Sequence, residues 1–312
     1  MDEFSLIRQY FADLTPARHD VLLGIGDDCA LLDVPAGCEL AITTDTLVSG
    51  RHFPESTAPA DIGWKSLAVN LSDIAAMGAQ ARWFTLALTL PSADAQWLEA
   101  FASGLRKLAV ISGVALIGGD TTRGPLSITI TALGTVSKGQ ALKRTGAQAG
   151  DAICVTGTLG DAALALRQIA EPGLTPYLLT RLNRPTPRLS AGLALRDLAH
   201  AAIDLSDGLA GDLAHVLRAS CVGAVIVAGR LPSSADFVAL APEDQRLSLQ
   251  IQGGDDYELC VCMPHEAVAV AATRLDVPLT VIGHVTAEPD LRWVDANGAN
   301  IALSPQGYLH FP

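Results

Sequence analysis

Charge and aromatic side chains are both scarce here: 17% of the 312 residues are charged and 5% are aromatic. Positive charge is scarcest. Twenty-one Lys and Arg against 33 Asp and Glu leave a net charge of −12, which argues against nucleic acid or an anionic membrane surface as a partner. The six cysteines include no Cys-x-x-Cys pair at metal-ligand spacing, and Cys154, Cys260 and Cys262 sit in apolar runs as small core side chains. No uncharged run approaches the roughly 20 residues of a membrane helix; residues 108–119 and 124–137 are too short and either contain glycine or alternate. The opening Met-Asp-Glu-Phe-Ser lacks the basic and apolar regions of a signal peptide. The expectation is a cytoplasmic protein. Also missing are a Gly-x-x-x-x-Gly-Lys-Ser/Thr loop and the Gly-x-Gly-x-x-Gly plus His-Arg-Asp set of protein kinases, so any nucleotide is held by other means.

What remains is apolar content of 49% in a chain about twice the length of a 150-residue domain, enough for two cores. Residues 138–150 carry glycines, a Lys-Arg pair and no periodicity, which sets the expected domains at 1–140 and 141–312. In the first half the pattern predicts a helix from Phe4 to Leu14, a strand over 40–44 ending on Asp45, a helix over 61–77, a strand over 83–90 and a helix over 93–111. A short strand over 114–117 then enters a glycine turn, and another strand covers 126–136. The second half alternates strands at 152–156, 201–205, 224–227 and 257–263 with helices at 162–169, up to 198, and 209–218. The fold class expected is α/β (α+β) in both halves, without the strict βαβ rhythm of a dinucleotide fold.

Acids gather in a few motifs. Asp27 and Asp28 stand on the glycine turn of Gly-Ile-Gly-Asp-Asp-Cys-Ala (24–30); Asp45, Asp120, Asp204 and Asp207 are expected at strand ends; Asp255 and Asp256 follow Gly253-Gly254. On the helix over 61–77, Ser66, Asn70 and Asp73 are four and three residues apart and form one polar stripe on an otherwise apolar helix. Thr43 and Asp45 share one side of their strand, so a hydroxyl and a carboxylate can meet the same ion. Oxygen donors without His or Cys indicate a hard cation, Mg²⁺ before Zn²⁺, and carboxylate-held magnesium commonly serves phosphate groups. Phosphoryl transfer is the leading reaction class.

With Thr-Thr-Asp-Thr-Leu-Val (43–48), Asn-Leu-Ser-Asp-Ile-Ala-Ala-Met-Gly-Ala (70–79), Ile-Gly-Gly-Asp-Thr-Thr-Arg-Gly (117–124), Ile-Asp-Leu-Ser-Asp-Gly-Leu (203–209) and Gly-Gly-Asp-Asp-Tyr-Glu-Leu (253–259), the chain resembles the bacterial thiamine-monophosphate kinases, within the aminoimidazole-ribonucleotide-synthetase superfamily. The resemblance implies an N-terminal mixed α/β domain that pairs in a homodimer, a C-terminal α/β sandwich domain, and phosphorylation of thiamine monophosphate by ATP to thiamine diphosphate. It places magnesium ligands on Asp28, Thr43, Thr44, Asp45, Asp73, Asp120, Asp204 and Asp207, and ATP contacts on Gly119, Asp120, Arg144 and Ser206. Thiamine-phosphate contacts fall on His52, Asp255 and Tyr308, and the catalytic residues are Asp45, Asp120 and Asp207, with charge neutralisation supplied by the metals. The chain departs from the family at 255, where Asp stands in place of the usual Glu. The alternative within the superfamily is selenophosphate or aminoimidazole ribonucleotide synthetase. Selenophosphate synthetases need a reactive Cys near the N-terminus, whereas the first cysteine here is Cys29. The hydrogenase-maturation relatives end in a Cys tail, and this chain ends Leu-His-Phe-Pro.

Overall fold

The computed structural model describes residues 2–301. The chain divides into two compact units, Met1–Ile74 with Ala79–Gly139, and Ala75–Gly78 with Gln140–Pro312. The first contains α1 (Glu3–Tyr10), β1 (Val21–Leu23), β2 (Leu31–Leu32), β3 (Cys38–Val48), α2 (Pro59–Ala76), β4 (Gln80–Leu90), α3 (Ala95–Ser112), β5 (Ala115–Arg123) and β6 (Ser127–Ser137). Four of these strands form a sheet in the order β3-β6-β4-β5, antiparallel except for the parallel β4–β5 pair.

Two strands run further than the sequence pattern suggests. β3 continues three residues past Asp45, and β5 passes through Gly118 and Asp120 to Arg123, so neither Asp45 nor Asp120 terminates a strand. Glycine in 118–119 reads as a turn signal. Here Gly119, at φ 147°, lets two backbones come together: a Cβ would lie 1.8 Å from the Leu86 carbonyl oxygen. Gly119→Ala is therefore expected to cost about 2–4 kcal/mol in urea unfolding, because the strained φ and the clash act at one position.

The sheet has two unlike faces. Ala41, Thr43, Asp45 and Leu47 of β3 face inward with Ile130 and Leu86, which are buried. Leu40 and Ile42, 43% and 60% exposed, lie on the other face with Thr44 and Thr46. Hydroxyl pairs Thr44–Thr131 and Thr46–Thr129, both 2.8 Å, tie β3 to β6 on that outer face.

The second unit is built from β7 (Ala152–Thr156), α4 (Asp161–Arg167), α5 (Pro176–Asn183), α6 (Leu189–Leu195), β8 (Ala201–Asp204), α7 (Leu209–Ser220), β9 (Gly223–Val227), α8 (Ala235–Leu240), α9 (Glu243–Gln252), β10 (Leu259–Met263), α10 (Val268–Arg274), β11 (Leu279–Thr286) and β12 (Leu291–Val294). Its six-stranded sheet has the order β12-β9-β11-β7-β10-β8. Alternate residues supply two cores. Ile153, Ile203, Cys260 and Cys262 pack with Leu209, Leu213 and Val216 of α7, whereas Cys154, Leu259 and Val261 pack with Ala191 and Leu195 of α6 and Ala271 of α10. The sheet is thus covered on both faces, as a run of buried apolar strands requires. Burial pushes the Cys154 thiol up to about 12 and those of Cys260 and Cys262 up as well, so these thiols are inert core side chains. No described helix is long and apolar enough to cross a membrane.

Candidate active site

The polar stripe on α2 faces β3. Ser66 Oγ donates to the Ile62 carbonyl, Asn70 Nδ2 donates to the Ser66 carbonyl, and Asn70 Oδ1 accepts the Asp45 backbone N–H at 3.0 Å. One turn on, Asp73 Oδ2 accepts the Thr43 hydroxyl at 2.5 Å. Asn70 and Ser66 are fully buried, so the amide anchors the strand backbone beneath Asp45 while Thr43, Asp45 and Asp73 share the inner face. These three are the oxygen donors that a hard cation prefers. Thr44, pointing to the outer face and bonded to Thr131, is separated from them.

Strand register separates the two predicted catalytic acids of this unit. Asp45 pairs with Ile130, Ile130 with Leu86, and Leu86 with Gly119. Asp120 lies one residue on, in the row Thr46, Thr129, Ala87, Asp120, and so on the outer face. The two acids occupy opposite edges of the sheet, roughly 14 Å apart at three strand spacings, and opposite faces. One ion does not bridge them within a single sheet. Asp28 is exposed on its bend, where its N–H donates to Asp27 Oδ1 at 2.8 Å, which fits Asp27 as the residue that orders the turn. Among the described residues no three of His, Cys, Asp and Glu are close enough to hold a metal ion.

His52 follows β3, and its Nδ1 accepts the Val48 N–H at 3.0 Å. In the neutral ring this fixes the proton on Nε2 and makes the histidine a donor.

In the second unit, β8 delivers Asp204, which is buried, and the chain then turns through Ser206-Asp207-Gly208. The segment stays paired with the 253–259 loop: Leu205 N–H donates to the Glu258 carbonyl, Tyr257 N–H to the Leu205 carbonyl and Asp255 N–H to the Ser206 carbonyl. Asp255 and Tyr257 adopt left-handed backbone, φ 67° and 49°, and the Tyr257 hydroxyl donates to Asp255 Oδ1 at 2.9 Å. Asp204, Ser206, Asp207 and Asp255 are brought together by this pairing. Arg144 is exposed; its carbonyl accepts the Ser220 hydroxyl, and its charge acts on Asp212 and His215 near the same turn. Tyr308 lies outside the described residues.

Asp212 belongs to this site although the motif reading passed over it. Its Oδ2 accepts the N–H groups of Ser206 and Asp207, at 3.0 and 3.1 Å, and so holds the backbone of both. Burial pushes its carboxyl up to about 7, against those two donors. The available signal was its spacing, five residues beyond Asp207 in the first turns of a helix that follows a glycine. Asp212→Leu orphans two N–H groups and is expected to lower turnover by about tenfold or more, whereas Asp212→Asn keeps an acceptor and most of the rate; steady-state kinetics of the pair checks this.

Two α/β units that carry oxygen-donor acids and a donor histidine correspond to the two domains of a known protein class. The family AIR synthase related protein, N-terminal domain, matches residues 26–136, and its C-terminal domain family matches 148–295. Within that class the chain belongs to the thiamine-monophosphate kinase family. It is 49% identical over 318 residues to the thiamine-monophosphate kinase of Escherichia coli strain K12, with 99% of this chain and 98% of the relative covered. A crystal structure of thiamine-monophosphate kinase from Stenotrophomonas maltophilia K279a superposes with TM-score 0.88 at 48% identity, covering 96% of this chain and 98% of that one. A solved structure described as AaThiL complexed with AMPPCP and TMP gives TM-score 0.78 at 29% identity, with 92% of each chain covered.

Proposed function

We propose that this protein transfers the γ-phosphoryl group of ATP directly to thiamine monophosphate, giving ADP and thiamine diphosphate, the last step of thiamine diphosphate biosynthesis, in the cytoplasm. The observation that carries this reading is identity of 49% across 99% of the chain to a kinase named for that substrate. It is reinforced by a relative of the same fold whose described complex holds an ATP analogue and TMP. The acceptor is a phosphate that is already ionised, so no base has to remove a proton, and catalysis consists of alignment and charge neutralisation. Asp45, Asp73 and Thr43 would hold magnesium, as would Asp204 and Asp207, and the bound ions would supply charge neutralisation to the phosphate oxygens; Asp28, Thr44 and Asp120 complete the proposed ligand set. His52 donates from Nε2 to a phosphate. Asn70 and Asp212 keep the backbones of Asp45, Ser206 and Asp207 in place. Gly119, Asp120, Arg144 and Ser206 receive ATP, and Asp255, oriented by the Tyr257 hydroxyl, faces the cationic thiamine end together with Tyr308.

The proposed partner is a second copy of the chain. Ile42 and Leu40 leave apolar area uncovered on the outer sheet face, β3 and β5 are edge strands, and exposed edges invite pairing. With β3 against the β5 edge of another copy, the strands that carry Asp45 and Asp120 lie about one strand spacing apart instead of three. An ADP-release assay with thiamine monophosphate, with and without Mg²⁺, tests the activity: metal-dependent thiamine diphosphate is expected. Turnover with selenide or an aminoimidazole precursor, and none with thiamine monophosphate, overturns it.

A further inference from the structure

A second polar cluster lies in the C-terminal unit, and it contains none of the residues assigned above. A concavity of about 390 Å³ opens between the turn after β7, helix α5 and the Arg184-Pro185-Thr186-Pro187-Arg188 segment, with Arg181, Arg184, Arg188, Tyr177, Thr186 and Pro278 in its wall. The wall has three guanidinium groups and not one carboxylate, in a chain whose net charge is −12. Its volume falls in the range of small-molecule sites, about 300–1,000 Å³.

Two of the guanidinium groups, those of Arg181 and Arg188, are held from behind. Glu258, fully buried, accepts Arg188 Nε at 2.6 Å and Nη2 at 2.5 Å, and Arg181 Nη2 at 3.0 Å. This grip uses one side of the Arg188 fork; its Nη1 makes no hydrogen bond among the described residues. Arg181 is 8% exposed, and its buried Nε has no hydrogen-bond partner, only the ion-pair contact to Asp161 at 3.5 Å. Behind the wall the carboxyl partners are Glu258 and Asp161. Arg181 and Arg188 are thus fixed, and Arg184 adds a third guanidinium group to a wall without a carboxylate. Planar forks immobilised in this way are suited to phosphate oxygens, because the ordering cost is already met in the empty pocket.

We propose that this pocket is a binding site for a small phosphate-bearing anion, separate from the metal-dependent phosphoryl-transfer site. The proposal does not rest on the identity of the kinase substrate. Arg181 Nη2 also donates to the Asp256 carbonyl at 3.1 Å, so an occupant touches a residue that holds the backbone beside Asp255.

Magnesium dependence separates the two sites. With EDTA present and ionic strength fixed, calorimetric titration of the full chain with orthophosphate, pyrophosphate and thiamine monophosphate is expected to show saturable one-to-one binding of at least one of them. Arg184→Gln and Thr186→Glu, the second placing a carboxylate at the exposed rim, should each weaken that binding at least tenfold with an unchanged unfolding transition, while Asp120→Asn binds as the parent does. No saturable binding in EDTA, binding retained in both pocket variants, or binding lost in Asp120→Asn overturns the proposal.

Discussion

Asp45→Asn and Asp120→Asn are each expected to lower turnover by about a thousandfold, and a mixture of the two inactive proteins is expected to recover about one quarter of the parent rate. The single losses follow from removing a carboxylate proposed to hold the magnesium that would neutralise the transferring phosphate oxygens; metal and electrostatic contributions of this kind amount to several kcal/mol, and about 4 kcal/mol corresponds to a thousandfold. Neither side chain is part of the apolar core, so the unfolding transition should not move. The recovery follows from strand order. With Asp45 and Asp120 on opposite edges of one sheet, a site that uses both would, in the proposed dimer, take one from each subunit. In a heterodimer of the variants, one of the two sites then has both acids intact. Random exchange makes about half the dimers mixed, each with one working site of two, which gives the quarter. Mixing after partial denaturation and assaying ADP release reads it directly. An inactive mixture with confirmed subunit exchange refutes the shared site and returns both acids to separate positions on one chain.

The other large effect concerns stability. Glu258→Gln is expected to cost about 3–5 kcal/mol, seen as a lower urea midpoint with the slope preserved. Glu258 accepts from Arg181, from Arg188 twice and from the Thr156 hydroxyl at 2.7 Å, all in the interior of the second unit. An amide of the same shape supplies one acceptor oxygen and turns an NH₂ group toward cationic donors. Arg188 is then left without its counter-ion, and the nearly buried Arg181 keeps only the contact to Asp161 at 3.5 Å. Breaking one member of a buried ionic set costs far more than the set itself contributes, because the remaining charges stay desolvated.

Much of this was legible in the sequence. The stripe of Ser66, Asn70 and Asp73 carried its own instruction, because three polar residues on one side of an apolar helix must face a polar neighbour, and they do, at Thr43 and the backbone of Asp45. Apolar runs such as 152–156 and 259–263 announced buried strands through their lack of alternation. Harder to read were the glycines at 118–119, where close backbone approach and a turn give the same letters. Helices α5, α8 and α9 escaped notice because they are only 8, 6 and 10 residues long, which leaves few turns over which a period can be read. The partner relations of Asp45 and Asp120 also could not be read, since motif spacing along the chain says nothing about strand order. Asp212 sits one step behind the motif residues, and a side chain that holds a backbone has no spacing rule of its own.

The inert thiols of the second unit provide a clock. Cys154, Cys260 and Cys262 are at most 1% exposed, whereas Cys29 and Cys221 are exposed and Cys38 is intermediate. An alkylating reagent therefore meets the outer thiols at once and the inner three only when the six-stranded sheet opens. Counting labels by mass against time reports the opening rate of that unit alone, without a probe introduced by mutation.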